Sequence, residues 1–140
     1  MDGRLKFLVD TNVWLELLLE QERANEVRRF LEAAEGRSMS VSDFTIHSIG
    51  VVMTRLKEEA AFKQFLSDTV EDSGMKSIRL EILDLKRAAD ICRELHLDFD
   101  DAYQYVAATK HDLRIVSFDT DFDRTPRGRE EPGKALNKKL

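Results

Sequence analysis

Short apolar runs alternate along the chain with longer segments whose apolar residues recur every three or four positions. Four runs lack a helical period and predict buried strands: "LKFLVD", "SMSV", "KSIRLEIL" and "LRIVSF". The longer segments predict amphipathic helices: "TNVWLELLLEQ", "RANEVRRFLEAAEG", "SDFTIHSIGVVMTRLK", "EAAFKQFLSDTVED", "DLKRAADICRELHL" and "FDDAYQYVAATKHD". Gly36 fits the C-terminal cap of the second helix. Strands separated by helices pair in parallel, so we predict an α/β sandwich.

Composition narrows the class of protein. A chain of 140 residues with 42% apolar residues is sufficient for one globular domain. Its single cysteine, Cys92, excludes a disulfide framework and a cysteine-based metal site. The first residues do not resemble a signal peptide, and the apolar runs are too short to span a bilayer. We therefore expect a cytoplasmic protein without membrane association.

Charge is distributed unevenly over the chain. The net charge is −5, yet six basic and only two acidic residues lie from Arg124 onward, which leaves about +4 there and about −9 in the rest. Two glycines and a proline follow between Arg127 and Gly133. We predict a single compact domain over residues 1–124 and a basic, partly flexible C-terminal tail over residues 125–140.

Aspartates follow two of the predicted strands. Asp10 closes the first strand and Asp119 follows the fourth, while Asp98, Asp100 and Asp101 crowd the start of the helix between the third and fourth strands. Ligands of an open parallel sheet bind beyond the carboxyl ends of its strands. Clustered carboxylates suit Mg²⁺ or Mn²⁺, which support phosphodiester hydrolysis.

The same aspartates also have purely structural explanations. Asp10 is placed to cap the following helix, Asp101 to stabilise a helix N-terminus, and Asp119 to form an Asx turn. The coincidence of two strand-end aspartates with a third acidic cluster favours a metal site.

The stretch "IVSFDTDFDR" also matches the ligand spacing of a calcium-binding EF-hand loop. Asp119, Asp121 and Asp123 fit the first three ligand positions. However, the preceding run is a predicted strand, Arg124 occupies the position that requires glycine, and Pro126 interrupts the loop. These three features argue against an EF-hand.

Three segments resemble the PIN-domain family. "FLVDTNVWLELL" is similar to the opening motif of PIN domains, "SVSDFTIHSIGVVM" occupies the place of their central helix, and "DFDDAYQYVAATKHDLRIVSFDTDFDR" resembles their closing half. The resemblance covers residues 5–124 and is greatest to stand-alone VapC-type toxins. It implies a three-layer α/β/α sandwich with a mostly parallel sheet of four to five strands. It also implies an endoribonuclease that requires Mg²⁺ or Mn²⁺, commonly a homodimer and often inhibited by an antitoxin protein.

The resemblance assigns residues to the metal site. Asp10 matches the first acid of the family, with Asn12 as its polar companion. Asp101 matches the acid of the Asp-Ala helix, Asp119 the acid after the last strand, and Asp121 the second aspartate of that turn. Asp100 adjoins this motif, but neighbours on a helix point about 100° apart, which directs its side chain elsewhere.

The central helix departs from the family pattern, because Ser48 occupies the place of a usual glutamate. Two nearby residues are candidates to compensate: Asp43 at the helix start, and His47, whose imidazole suits Zn²⁺ or Mn²⁺ better than Mg²⁺. Asp43 is equally suited to an N-cap and His47 to polar packing.

Two functions follow from these observations. The first is a metal-dependent ribonuclease that acts on RNA; the second is a catalytically weakened PIN-fold module that binds RNA or a protein, which Ser48 favours. Arg124, Arg127 and Arg129 are candidates to bind RNA phosphates, or else to pair with the acidic surface. Other phosphate enzymes fit poorly: a glycine-rich phosphate loop is missing, and Asn12 stands where a haloacid-dehalogenase phosphatase has its second aspartate.

Overall fold

A four-stranded parallel sheet forms the centre of the protein. The computed structural model describes residues 6–136, apart from the side chain of Arg37. Within those residues, the strands are β1 (Phe7–Val9), β2 (Met39–Ser42), β3 (Lys76–Ile78) and β4 (Arg114–Val116), in the order β3-β2-β1-β4. Leu8 of β1 lies opposite Ser40 of β2 and Ile115 of β4. The predicted α/β fold with a parallel sheet is confirmed.

Seven α-helices connect and follow these strands in the described part of the chain: α1 (Thr11–Leu18), α2 (Ala24–Ala33), α3 (Asp43–Arg55), α4 (Glu59–Phe65), α5 (Ile82–Leu95), α6 (Phe99–His111) and α7 (Pro132–Ala135). Short 3₁₀ turns cover Gly36–Ser38 and Thr120–Arg124, and a π-helical turn covers Leu66–Glu71. No helix among residues 6–136 is both long and apolar enough to cross a lipid bilayer.

Helices cover both faces of the sheet. Phe7 and Val9 of β1 pack with Trp14 of α1 and Phe30 of α2 on one face. Leu8 points to the other face and packs against helices α5 and α6. Side chains alternate between the faces of a strand, so a strand that is apolar throughout must be covered on both. This arrangement is the predicted three-layer α/β/α sandwich.

Three predicted elements have different boundaries in the structure. The third strand ends at Ile78, and the second half of "KSIRLEIL" begins helix α5 instead, because Glu81 and Asp84 form a capping box at its start. The single helix predicted over "EAAFKQFLSDTVED" is divided into α4 and the π-helical turn. The helix α2 ends at Ala33, before Gly36, which begins a 3₁₀ turn rather than capping the helix.

The segment from residue 125 onward is predicted from the sequence to be a basic, partly flexible tail. In the structure, residues 125–136 pack against the sheet and helices. The backbone of Glu130 lies parallel to β4: its N–H donates to the carbonyl of Ile115 (2.8 Å), and its carbonyl accepts from Ser117 (3.0 Å). These bonds satisfy backbone groups that an edge strand would otherwise expose. Ala135 is buried in the core beside α2. The tail residues Lys138 and Lys139 lie outside the described residues.

Candidate metal centre

Asp10 lies directly after β1 and is held by four hydrogen-bond donors. One carboxylate oxygen accepts from the Thr11 backbone N–H and from Nε2 of Gln104, both at 2.8 Å. The other accepts from Oγ of Ser117 (2.8 Å) and from Nδ2 of Asn12 (3.4 Å). The residue is only 6% exposed. Asp10 therefore caps helix α1 and is also oriented by residues distant in the chain.

Burial raises the pKa of Asp10, and the negative charge of Asp119 adds to this rise. Hydrogen bonds from Gln104, Ser117 and Thr11 oppose the rise because they stabilise the ionised form. The carboxylate thus has neutral donors around it and another carboxylate nearby. A cation placed beside it would favour its ionised form.

Asp101, Asp119 and Asp121 form an acidic cluster next to Asp10. One carboxylate oxygen from each of the three lies within 4.8 Å of the others. Burial raises the pKa of Asp101 to about 8, and the charges of Asp119, Asp98 and Asp10 contribute to the rise. At neutral pH without a cation, Asp101 is therefore mostly protonated.

Local turns position the members of this cluster. The side chain of Asp98 caps α6 by accepting from the Asp101 backbone N–H (3.0 Å), so Asp98 performs the capping role that was considered for Asp101. One oxygen of Asp119 accepts from the Asp121 N–H (2.8 Å), which is an Asx turn. The Asp119 N–H in turn donates to Oγ of Ser117 (2.9 Å). The helix cap and the Asx turn considered from the sequence are therefore both present, and they occur together with the acidic cluster.

The donor set fits a hard divalent cation. Mg²⁺ binds carboxylate and water oxygens at about 2.1 Å, and Mn²⁺ accepts the same ligands. Carboxylate oxygens within 4.8 Å of one another require only small side-chain adjustments to share such an ion. The Asp121 carboxylate already has a cationic partner, because Nη1 of Arg124 lies 3.1 Å from its Oδ1.

The supporting residues predicted from the sequence occupy different environments. Asn12 is in direct contact with the site: its Nδ2 also donates to Ser117 (3.3 Å), and its Oδ1 accepts from the Phe118 N–H (3.1 Å). Asp100 and His47 are exposed. Ser48 is half-buried, one helical turn after Thr45. Their roles at a metal site remain predictions.

Asp43 is exposed at the start of α3, but it is not the N-cap. Ser42 caps this helix by accepting from the Thr45 N–H (3.1 Å). Oδ1 of Asp43 instead accepts from the hydroxyl of Tyr103 (2.5 Å). Burial and this bond raise the pKa of Tyr103 to about 12. The carboxylate of Asp43 is therefore engaged away from the cluster.

Of the polar side chains that orient Asp10, the sequence analysis names Asn12 but misses Gln104 and Ser117. Gln104 is 1% exposed in the middle of α6; its Nε2 also donates to Oγ1 of Thr45 (2.9 Å), and its Oε1 accepts from Ser42 (2.7 Å). A signal was present: Gln104 is the one polar residue in "AYQYVAA", and it lies three residues after Asp101, on the same helical face. A buried polar group of this kind needs partners, which the site supplies.

The three arginines considered for RNA binding all contact protein groups. Arg124 contacts Asp121 and the His96 carbonyl. Arg127 contacts Asp112 (3.3 Å), and Arg129 contacts Asp123, Glu131 and the carbonyl of Ser117. Their assignment to RNA remains a prediction.

Comparison with solved structures shows the same fold in several proteins. A toxin–antitoxin complex from Klebsiella pneumoniae contains a chain that is 24% identical, with a TM-score of 0.73, over 91% of this chain and 98% of that one. Mycobacterium tuberculosis VapC20, a toxin that cleaves the sarcin–ricin loop, is 16% identical, with a TM-score of 0.72, over 84% and 93%. VapBC2 from Rickettsia felis, bound to a promoter DNA fragment, is 13% identical, with a TM-score of 0.70, over 91% and 98%.

A search of curated proteins finds no match to the sequence. The family model described as the PIN domain matches residues 7–128, a range that includes all four strands and the four aspartates Asp10, Asp101, Asp119 and Asp121. The chain belongs to the PIN domain family.

Proposed function

We propose that this protein is an endoribonuclease that requires Mg²⁺ or Mn²⁺. The observation that supports the proposal is the convergence of Asp101, Asp119 and Asp121 beside the buried Asp10, at the carboxyl ends of β1 and β4. PIN-family membership supports the same activity. RNA is the proposed substrate, and hydrolysis of its phosphodiester bonds the proposed reaction.

Each carboxylate has its own proposed part in this chemistry. Asp101, Asp119 and Asp121 hold the cation, which when bound lowers the pKa of a coordinated water and stabilises charge on phosphate oxygens. Asp101 loses its proton as the cation binds, because its raised pKa depends on uncompensated negative neighbours. Asp10 lies beside them with its carboxylate held in a fixed orientation by Gln104 and Ser117.

We further propose that the protein is the toxin of a toxin–antitoxin pair. The support is the likeness in fold and in length to chains of toxin–antitoxin complexes from Klebsiella pneumoniae and Salmonella typhimurium. An antitoxin protein is the expected partner, and a cytoplasmic location follows from an RNA substrate. Expression of the wild-type protein should therefore arrest growth, whereas expression of Asp101→Asn should not.

A homodimer is the proposed assembly. Large apolar side chains are exposed on the side of the sheet that carries α5 and α6: Ile82 is 70% exposed, Leu83 76% and Phe99 48%. A second copy of the chain that packs on this side would remove them from water, which is favourable in proportion to the apolar area buried.

The second candidate function is a PIN-fold module that binds RNA or a protein without efficient cleavage. Its support is Ser48, which offers a neutral hydroxyl where the family usually has a glutamate. A neutral ligand leaves one negative charge fewer to attract a divalent cation.

A cleavage assay on mixed RNA separates the two functions. We expect cleavage with Mg²⁺ or Mn²⁺, none with chelator, and a loss of at least about a hundredfold in Asp10→Asn and Asp101→Asn. Asp90→Asn on the exposed surface of α5 is the matched control and should retain activity. Cleavage that survives chelation, or that survives both site substitutions, would exclude the metal-dependent ribonuclease. RNA binding without cleavage would favour the binding module.

A further inference from the structure

A pocket of about 420 Å³ is lined mainly by residues at the amino ends of the strands, whereas the acidic cluster lies at their carboxyl ends. Basic side chains from five positions line it: Lys6 before β1, Lys76 and Arg79 at the two ends of β3, and Lys110 and His111 at the end of α6. Three serines and two apolar residues complete its wall. Its volume lies in the usual range for ligand sites.

The positive charge of the residues that line this pocket is only partly compensated. None of the described residues that line it carries a carboxylate. Lys110 pairs with Asp84 from outside the pocket (2.7 Å). Lys6, Lys76 and Arg79 form no ion pair with any residue within 6–136. Converging like charges repel one another and create a local positive potential, which an anion relieves.

Helix ends explain only part of this cluster. Lys110 and His111 occupy the last turn of α6, where cations interact favourably with the helix dipole. Lys6, Lys76 and Arg79 lie at the ends of strands, and strands have only a small net dipole. Lys76 lies on the edge strand β3, where a lysine also discourages pairing with another chain. A bound anion would account for the convergence of these cations with the helix end.

The pocket also differs from the surface that carries Arg124, Arg127 and Arg129. Arg124, Arg127 and Arg129 each lie within 3.3 Å of a carboxylate oxygen, so their charges are already neutralised. The metal-centre edge itself carries excess negative charge, which repels RNA phosphates. A polyanion nevertheless needs cationic contacts on the protein for affinity. The pocket offers such contacts through Lys6, Lys76 and Arg79, which form no ion pair with the described residues.

We propose that this amino-end pocket binds a backbone phosphate of single-stranded RNA, away from the bond that is cleaved. The inference rests on the proposed ribonuclease function and adds a contact for its substrate. Lys6 and Asp10 are separated by the length of β1, about 13 Å at 3.3 Å per residue. An RNA strand that crosses the protein surface from the pocket to the metal centre would be anchored at one end and cleaved at the other.

The test measures RNA binding with cleavage prevented by chelator. Fluorescence polarisation of a labelled single-stranded RNA would compare the wild type with Lys6→Gln/Lys76→Gln, two exposed positions. The matched control is Lys57→Gln/Lys63→Gln, which removes the same charge from exposed positions outside the pocket. We expect about a tenfold or greater loss of affinity for the pocket variant, and a slope of log K against log salt that is smaller by about 1. The control should match the wild type.

Unchanged affinity and slope in the pocket variant would overturn the proposal. A titration of the wild type with adenosine monophosphate, followed by NMR, separates the two sources of phosphate. If the mononucleotide shifts pocket resonances while the pocket variant keeps full RNA affinity, the ligand is a free nucleotide and the RNA contact is excluded. Failure of the proposed ribonuclease is a separate result: RNA binds through the pocket, yet no cleavage follows when Mg²⁺ is supplied.

Discussion

Asp101 is the residue where stability and function oppose each other. Its pKa of about 8 reflects burial and three negative neighbours, so the folded protein holds a proton there that the unfolded chain, with a pKa of 3.8, releases. Unfolding therefore releases a proton between about pH 4 and pH 8, and the free energy of unfolding falls as the pH rises through this range. Above about pH 8 both states are ionised, and the contribution is constant.

Asp101→Asn should remove this effect. We expect the variant without divalent cation to melt about 3 °C or more above the wild type at pH 8, with a smaller difference at pH 5, because a neutral amide ends the repulsion. The same variant should be inactive. Thermal melts at both pH values, with and without Mg²⁺, provide the measurement. A variant that melts below the wild type at pH 8 in chelator would contradict this explanation.

Gln104 joins α6 to Asp10 and to the start of α3. Gln104→Ala removes one hydrogen bond each from buried oxygens of Asp10, Ser42 and Thr45, and each lost bond is worth about 1 kcal/mol. We expect a lower melting temperature and weaker cleavage, since Asp10 loses one of its two Oδ1 donors. Gln64→Ala, at an exposed position in α4, should change neither. Equal melting temperatures for the two variants would contradict the role of Gln104.

The sequence predicts the presence of the helices and strands more accurately than the residues at which they end. Strands such as "LRIVSF" are apolar because both faces are covered, so their pattern alone identifies them. The end of β3 was harder to predict, because "LEIL" is apolar in either a strand or a helix. There, the capping box of Glu81 and Asp84 favours the helix, and it leaves Ile82 and Leu83 exposed.

Gly36 illustrates a different limit of sequence reasoning. It fits a helix cap by position, but its role in the structure is a close approach between two segments. A Cβ at Gly36 would lie 1.9 Å from the backbone oxygen of Ser73. Nothing local in the sequence reveals this contact, because Ser73 is distant in the chain. The contact of Ser117 with Asp10 joins residues 107 positions apart and is likewise not visible in the local sequence.

Gly36→Ala should therefore destabilise the connection between α2 and β2. Backbone atoms must move to accept the methyl group, and we expect a loss of about 2 kcal/mol or more in the free energy of unfolding. Gly128→Ala is a useful comparison, because its Cβ would meet open space and only its positive φ of 66° is unfavourable, at about 1 kcal/mol. Denaturant titrations should rank Gly36→Ala as the more destabilising, and the reverse order would contradict the packing argument.

At the scale of the whole molecule, the large exposed apolar side chains of the described residues are concentrated at α5 and the start of α6. Ile82, Leu83 and Phe99 lie there, whereas Leu56 lies alone at the end of α3. If the proposed dimer forms through α5, Leu83→Glu should produce monomers, because burial of a charge in an apolar interface is unfavourable. Glu58→Gln, at an exposed position before α4, serves as the control. Light scattering coupled to gel filtration gives the mass directly. A wild-type monomer would exclude the dimer, and a dimeric Leu83→Glu would exclude this surface.

The segment after residue 124 has a consequence for synthesis of the protein. Arg129 donates to the carbonyl of Ser117, whose hydroxyl holds Asp10, while Glu130 completes the edge of β4. The candidate metal centre thus joins Asp10 to Ser117, 107 positions later in the chain. During translation, Asp10 emerges from the ribosome well before Gln104, Ser117 and Glu130. With the proposed ribonuclease function, we expect the nascent chain to be inactive until residue 130 has emerged and folded, a delay that would protect the translating ribosome from cleavage by its own product.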